Sequence, residues 1–285
     1  MSYTYEELAA RCKKIKVAEG VELAYEEAGE GDKVIISVQM GFGDPYYVRD
    51  FAKYGYHVYM IWNRGTDPSP SSVGDSGKGW YNAWADDVCT FADLKGIDKF
   101  VYAGSSHGSG TGWHLIWKHP ERVTAFLALV CGPHNISESK SSFRDMMKTM
   151  GVIPNYPYSK TDDPAALARI EDVSKTKADL KPHQLPVNYG RPLAELETEE
   201  NVQELLKTLK TPTLLLGGKD DPIARPDLMF RTTECMPNCK LVMYSGMSHN
   251  DVSTICKEEC VAECLHFLKA VETNNGRIYL PIENE

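Results

Sequence analysis

The chain has 285 residues, of which 42% are hydrophobic and 25% are charged, and its formal net charge is −9. This composition predicts a globular protein with one large core, or a core that carries an inserted subdomain, and it argues against a disordered chain. The acidic balance argues against a nucleic acid as partner, because binding a polyanion requires a basic surface.

At the start of the chain, Met1 to Glu7 contain no basic segment and no apolar stretch, so we expect no secretion signal. No apolar run anywhere approaches the ~20 residues that a membrane helix requires. We therefore expect a cytoplasmic protein with no membrane partner. The sequence is compatible with a homo-oligomer.

Strand-like and helix-like segments alternate along the first half of the chain, which predicts a mostly parallel sheet covered by helices. Residues 13–28 predict two antiparallel strands at an edge of this sheet. Further strands are predicted at Lys33–Gln39, Tyr56–Trp62, Lys99–Ala103 and Val123–Val130. Helices are predicted between them at Tyr46–Tyr54, Trp80–Leu94 and Thr111–His119.

The alternation stops after Val130 and resumes at Thr213. The residues between are polar, helical in pattern and divided by six prolines, which predicts short helices joined by loops. We therefore predict a core of residues 1–133 and 206–285, with a helical cap of residues 134–205 inserted into it. Predicted elements of the second half are strands Thr213–Leu216 and Lys240–Tyr244, a helix from Pro226 and a long helix over Val252–Val271.

The strongest chemical motif, Gly104-Ser105-Ser106-His107-Gly108, stands between a predicted strand and a predicted helix. It matches Gly-x-Ser-x-Gly, the pattern of a sharp turn that exposes a serine hydroxyl. Small neighbours are needed because the serine backbone in such a turn is strained and crowded. The N-terminus of the following helix supplies positive potential where an oxyanion would form. Ser106 is therefore the candidate nucleophile.

This motif, together with the following His119-Pro120-Glu121-Arg122-Val123, resembles the nucleophile turn and helix of the α/β-hydrolase superfamily. The upstream segment 63–69 is similar to the Asp-x-Arg-Gly-x-Gly-x-Ser loop of that superfamily, although Asn63 and Asp67 depart from its commonest letters. The resemblance covers about residues 20–133 and 206–270 and does not extend to the cap. It implies the α/β-hydrolase fold, with Arg64 as a structural anchor of its loop.

A nucleophilic serine requires a base, and the base requires an acid that orients it. The superfamily has the chain order serine, acid, histidine. Its Gly-x-x-Asp pattern, taken from Gly218, selects Asp221 as the acid over its neighbour Asp220. The turn that ends at His249 follows the last strand and resembles the Gly-x-x-His turn of the superfamily, which implies His249 as the base.

An oxyanion also requires two amide donors. The resemblance implies the backbone N–H of His107, the residue after the nucleophile, and the backbone N–H of Phe42. Phe42 belongs to Met40-Gly41-Phe42-Gly43, which resembles the His-Gly-x-Gly loop of the superfamily with Met40 in place of histidine. We expect the His107 side chain to pack beside the turn. His114 and His119 lie on the helix after the turn and are poorly placed to act as base.

Candidate residues of the substrate pocket share large apolar or aromatic side chains, mostly at helical spacing in the cap. They are Met40, Phe143, Met146, Met147, Met150, Tyr156, Tyr158 and Tyr189. Five cysteines fall late in the chain, and Cys256, Cys260 and Cys264 recur at every fourth residue of a predicted helix. We interpret them as core-facing thiols rather than metal ligands, and we expect neither a metal nor a cofactor.

The resemblance implies a serine hydrolase that transfers an acyl group to water, with a small-molecule ester or lactone as substrate. A peptidase or amidase is an alternative, since Gly104 to Ser109 faintly resembles proline iminopeptidases. Hydrolysis of a carbon–carbon bond in a diketone is another. A ligand receptor of the same fold with slow turnover is an alternative of a different class. An enzyme would show steady-state turnover, whereas a receptor would show a single stoichiometric burst.

Overall fold

The computed structural model describes residues 10–39, 46–65, 69, 80–134, 192–221, 223–249 and 251–279. Eight strands form one sheet in the order β1-β2-β4-β3-β5-β6-β7-β8. Their bounds are β1 Lys13–Ala18, β2 Val21–Ala28, β3 Lys33–Gln39, β4 Tyr56–Trp62, β5 Phe100–Ser105, β6 Val123–Leu129, β7 Thr213–Gly218 and β8 Cys239–Tyr244.

The sheet is mostly parallel, as the sequence predicts. Strand β2 pairs antiparallel with both β1 and β4, while β3 pairs parallel with β4 and β5. The pairs β5–β6, β6–β7 and β7–β8 are also parallel. The central strands are continuous apolar runs, and nearly every residue of β5, β6 and β7 is buried, because helices cover both faces of a parallel sheet.

Helices flank the sheet and contribute buried side chains to the core. Their bounds are α1 Tyr46–Arg49, α2 Trp80–Leu94, α3 His107–Lys118, α4 Glu199–Thr208, α5 Pro226–Cys235, α6 Asp251–Thr254 and α7 Lys257–Thr273, with 3₁₀ turns at Asp50–Tyr54 and Ala194–Leu196. Helix α2 packs on α3, α4 packs on α5, and α1 packs on α7. The predicted α/β-hydrolase architecture is therefore confirmed for the sheet and its helices.

Strands β6 and β7 are neighbours in the sheet although residues 130–212 separate them in the chain. The predicted end of the cap at residue 205 falls inside helix α4. Val202 and Leu206 of that helix are buried in the main core, so the helix packs as one unit with the core. Residues 135–191 lie outside the described residues, and the helical cap stays a prediction.

Three predicted helices differ from the observed ones. The helix predicted at Tyr46–Tyr54 consists of α1 and the 3₁₀ turn Asp50–Tyr54. Helix α3 begins at His107 rather than Thr111, directly after the candidate nucleophile. The predicted long C-terminal helix is divided, because α6 ends at Thr254 and α7 begins at Lys257 after Cys256 as its N-cap. Cys260 and Cys264 are fully buried in α7, whereas Cys256 precedes the helix.

All eight cysteines lie in the described residues, and no disulfide joins any of them. Across the same part of the chain, no helix combines the length and the apolar character needed to cross a membrane.

Candidate active site

Ser106 lies in the turn between β5 and α3, with a backbone φ of 52° and ψ of −117°. A positive φ is rare for a residue other than glycine and costs free energy, so the surrounding structure must hold it. The Ser106 N–H donates to the carbonyl of Leu129 on the neighbouring strand β6 at 2.9 Å. Its own carbonyl accepts the N–H of Gly110 at 3.1 Å, which closes the first turn of α3.

The two glycines of the motif are explained by close approach rather than by positive φ. A Cβ on Gly104 would lie 2.4 Å from both Gly108 C and Ser109 N, so the strand end and the helix start could not touch. A Cβ on Gly108 would lie 2.6 Å from the carbonyl oxygen of Val38 on β3. Both clashes involve backbone atoms, which cannot rotate away as a side chain does.

Asp221 and His249 come from the ends of two other parallel strands, β7 and β8. The structure brings both side chains to Ser106: His249 Nε2 is 3.0 Å from Ser106 Oγ, and His249 Nδ1 is 2.7 Å from Asp221 Oδ2. Asp221 is only 2% exposed, whereas its rival Asp220 is exposed, and its backbone N–H donates to the Met247 carbonyl. The two strand ends meet closely because Gly218 has no Cβ, which would lie 2.3 Å from Met247 O.

The hydrogen bonds define which nitrogen of His249 carries the proton. The Asp221 carboxylate only accepts hydrogen bonds, and its other oxygen, Oδ1, already accepts the N–H groups of Ile223 at 2.8 Å and Ala224 at 2.9 Å. Nδ1 of His249 must therefore be the N–H that donates to Oδ2. The lone pair on Nε2 then faces the Ser106 hydroxyl, which is the tautomer that a general base requires.

A second buried carboxylate, Asp251, supports the turn that carries His249 and was not predicted from the sequence. Asp251 Oδ2 accepts the N–H of Ser248 at 2.7 Å, and the N–H of Asp251 donates to the Ser248 carbonyl at 3.3 Å. These reciprocal bonds close a short turn around His249 at the start of helix α6. An aspartate two residues after the histidine is the available sequence signal, but many loops contain such a spacing.

His107 is the first residue of α3, so its backbone N–H belongs to the positive end of that helix. Its side chain is half-buried, and its Nδ1 shares a hydrogen bond of 2.5 Å with the hydroxyl of Tyr81. Burial, and then the nearby His249, lower the pKa of His107 to about 3. The imidazole of His107 is therefore neutral at physiological pH, and it packs beside the turn that carries Ser106.

Arg64, His114 and His119, which the sequence also singles out, form hydrogen bonds with groups other than Ser106, Asp221 and His249. Arg64 forms a paired contact with Asp87, in which Arg64 Nε is 2.6 Å from Asp87 Oδ2, consistent with its predicted role as a loop anchor. His114 is buried against Asn82 and the backbone of Leu193. His119 Nε2 lies 2.8 Å from Asp86.

Several candidate residues lie outside the described part of the chain. They are Met40 and Phe42 of the predicted oxyanion loop and the cap residues Phe143, Met146, Met147, Met150, Tyr156, Tyr158 and Tyr189. Within the described ranges, no group of three or more histidine, cysteine or carboxylate side chains is placed to hold a metal ion. The described site therefore consists of a serine, an imidazole and a carboxylate, an arrangement suited to nucleophilic attack on a carbonyl group.

The chain is also similar to known protein families. Residues 44–252 match the model of the family described as serine aminopeptidase S33. The chain is 25% identical over 267 residues to a 2-hydroxy-6-oxononadienedioate/2-hydroxy-6-oxononatrienedioate hydrolase from Pseudomonas sp., covering 85% of this chain and 91% of that protein.

Two further similarities concern proteins named as esterases. A bifunctional esterase/perhydrolase from Acinetobacter calcoaceticus is 22% identical over 263 residues, covering 84% of this chain and 94% of that protein. The solved structure of a thermophilic esterase from Thermogutta terrifontis superposes with a TM-score of 0.70 at 19% identity, covering 91% of this chain and 98% of that one. At this identity the structural similarity establishes the fold.

Proposed function

The chain belongs to the serine aminopeptidase S33 family of α/β hydrolases, and we propose that it hydrolyses carboxylic esters or lactones through an acyl-enzyme on Ser106. The observation that carries the proposal is the hydrogen-bonded row of Asp221, His249 and Ser106, whose polarity makes His249 a base toward the serine. The relative named as an esterase/perhydrolase supports an ester as the bond that is cleaved.

In the proposed acylation step, Ser106 Oγ attacks the ester carbonyl carbon while His249 Nε2 takes the hydroxyl proton. The carbonyl electron pair moves onto oxygen, and backbone N–H groups stabilise the resulting oxyanion, with His107 N–H at the start of α3 as one donor. Asp221 stabilises the imidazolium that forms. When the oxyanion collapses, the alkoxide leaves and takes the proton from His249 Nε2, and the acyl group stays on Ser106.

In the proposed deacylation step, a water molecule takes the place of the alcohol. His249 Nε2 removes one proton from the water as its oxygen attacks the acyl carbon, and the second oxyanion is held by the same donors. Collapse breaks the bond to Ser106 Oγ, which recovers its proton from His249. The products are a carboxylic acid and an alcohol, or a hydroxy acid where the substrate is a lactone.

Labelling with a fluorophosphonate probe tests the assignment of the nucleophile. We expect the probe to label the wild-type protein at Ser106 and to leave Ser106→Ala unlabelled, with loss of turnover on p-nitrophenyl acetate. Labelling at full strength in Ser106→Ala would disprove the assignment. A single stoichiometric burst of p-nitrophenol without steady-state turnover would instead favour the slow receptor of the same fold.

A second candidate is hydrolysis of a carbon–carbon bond, favoured by the relative named for a 2-hydroxy-6-oxo dienedioate substrate. The same serine and histidine would attack a ketone carbonyl, and the leaving group would be a carbon stabilised by conjugation within the substrate. Rates on a p-nitrophenyl ester series, a 2-hydroxy-6-oxo-dienoate and an aminoacyl p-nitroanilide separate the candidates. An ester kcat/KM at least about 100-fold above the others supports ester hydrolysis, and the reverse order would overturn it.

A further inference from the structure

Three buried tyrosines place their hydroxyl groups on the nucleophile turn, and one of them differs from the others. The Tyr47 hydroxyl donates to the Gly104 carbonyl at 3.1 Å, and the Tyr102 hydroxyl donates to the Gly108 carbonyl at 2.7 Å. Tyr81 instead shares its 2.5 Å hydrogen bond with a side chain, the imidazole of His107. Tyr47 and Tyr102 therefore hold the backbone on both sides of Ser106, whereas Tyr81 holds the side chain of the residue next to it.

The ring of Tyr81 is fixed on several sides. It is 1% exposed, lies nearly parallel to the His107 ring at 6.3 Å and to the His114 ring at 5.3 Å, and meets the Trp84 ring edge-on at 5.5 Å. Helix α3 makes room for it at Gly110, where a Cβ would lie 2.5 Å from Tyr81 Cε1. Gly110, two residues after the motif, thus allows Tyr81 of α2 to reach His107.

The imidazole of His114, which stacks on Tyr81, is itself held by hydrogen bonds. The backbone N–H of Leu193 donates to His114 Nε2 at 2.9 Å, so His114 must carry its proton on Nδ1, which donates to Asn82 Oδ1 at 2.6 Å. The amide group of Asn82 in turn donates to Glu195 Oε1 at 2.8 Å. Tyr81 therefore lies between the nucleophile turn and a hydrogen-bonded polar cluster that includes Leu193 and Glu195.

We propose that Tyr81 is a positioning residue for the oxyanion, because it holds His107 and thereby the backbone N–H of His107 that faces the carbonyl oxygen of the substrate. The inference rests on the proposed acyl transfer at Ser106. The imidazole and the N–H of His107 are attached to the same Cα, so fixing the imidazole resists rotation of the peptide that joins residues 106 and 107. An oxyanion donor contributes to rate only while it is held in place, since displacement by a fraction of an ångström weakens the bond that forms in the transition state.

A double-mutant cycle between Tyr81→Phe and His107→Ala tests whether Tyr81 acts through His107. Tyr81→Phe should lower kcat on p-nitrophenyl acetate about tenfold, with KM changed less than about twofold, and should slow fluorophosphonate labelling by a similar factor. In the His107→Ala background the same change should alter kcat by less than about twofold, since the partner is already absent. Should His107→Ala fold poorly, His107→Leu takes its place, because leucine has a similar size and no hydrogen-bonding group.

Tyr102→Phe is the matched control, since it removes a buried hydroxyl that also contacts the start of α3 but not the His107 side chain. Its effect should be the same with and without His107. An unchanged kcat in Tyr81→Phe, or an equal loss in both backgrounds, would overturn the inference. If Ser106 of the wild-type protein is not labelled, the proposed function fails and this inference with it. If Ser106 is labelled and the cycle shows no coupling, only the positioning role fails.

Discussion

Replacement of His114 by glutamine should reduce the loss of stability that this protein shows in mild acid. His114 has no exposed surface, and its Nε2 must remain a lone pair because the Leu193 N–H donates to it at 2.9 Å. Burial, and then Lys118, lower the pKa of His114 from 6.5 to about 3. A proton can therefore be added to the folded protein only when a hydrogen bond is lost and a charge is buried.

The sign and the size of the effect follow from proton linkage. The folded protein keeps His114 neutral, whereas the unfolded chain binds a proton below its pKa of 6.5. The contribution of His114 is therefore fully present above pH 6.5 and is lost progressively as the pH falls toward 3. At pH 5 this one group lowers the free energy of unfolding by about 2 kcal/mol relative to pH 8.

Urea unfolding at pH 8 and pH 5, followed by tryptophan fluorescence, measures the effect in the wild-type protein and in His114→Gln. Glutamine can accept from Leu193 N–H and donate to Asn82 but does not titrate, so the variant should lose about 2 kcal/mol less between the two pH values. Burial lowers the pKa of His107 in the same way, but His107 is present in both proteins, so its contribution cancels when their losses of stability are compared. Equal losses in the two proteins would refute the assignment to His114.

Four further outcomes are expected. Asp221→Asn should lower kcat on esters about 10⁴-fold by favouring the wrong histidine tautomer, whereas Asp220→Asn should change it less than about threefold; the reverse ranking would show that the acid is misassigned. Gly108→Ala should lower the free energy of urea unfolding by about 2 kcal/mol, since its Cβ would lie 2.6 Å from Val38 O. Metal analysis should find no stoichiometric zinc, and zinc that is lost on Cys256→Ser would contradict this. Met146→Ala should leave kcat/KM on acetate esters unchanged and lower it on longer esters by an amount equivalent to about 1–3 kcal/mol. A decrease of kcat/KM by the same factor for all chain lengths would contradict a role in specificity.

The parts of the fold that follow from the sequence are those determined by local pattern. Strands such as Tyr56–Trp62 are continuous apolar runs between turn residues, and the structure has this strand with the same bounds. The sequence predicts the start of α3 four residues too late. The reason is that the glycine and serine residues at 108–110 are poor helix formers and do not indicate a helix. Those glycines are present for contact with Val38 and Tyr81, and tertiary packing overrides their low propensity.

The candidate site also contains residues that local sequence patterns predict and residues whose role depends on tertiary contacts. The resemblance selects Asp221 over Asp220 from the spacing of the turn, a local feature, and in the structure Asp221 lies next to His249. Asp251 and Tyr81 could not be found in this way. Each is an ordinary residue of a helix start, and its role appears only when the fold brings it to the turn of His249 or to the side chain of His107.

The proposed chemistry and the choice of substrate depend on different groups. In the proposal, Ser106, His249 and Asp221 act on a carbonyl carbon, which an ester, a lactone and a ketone all present in a similar way. What differs is the leaving group: an alkoxide takes a proton on oxygen directly from His249, whereas a carbon is expelled only where the substrate delocalises its charge. The choice between the two candidate reactions therefore depends on substrate-contacting groups in addition to Ser106, His249 and Asp221. Relatives named for different reactions fit this division, since a fold does not by itself determine the reaction or the substrate.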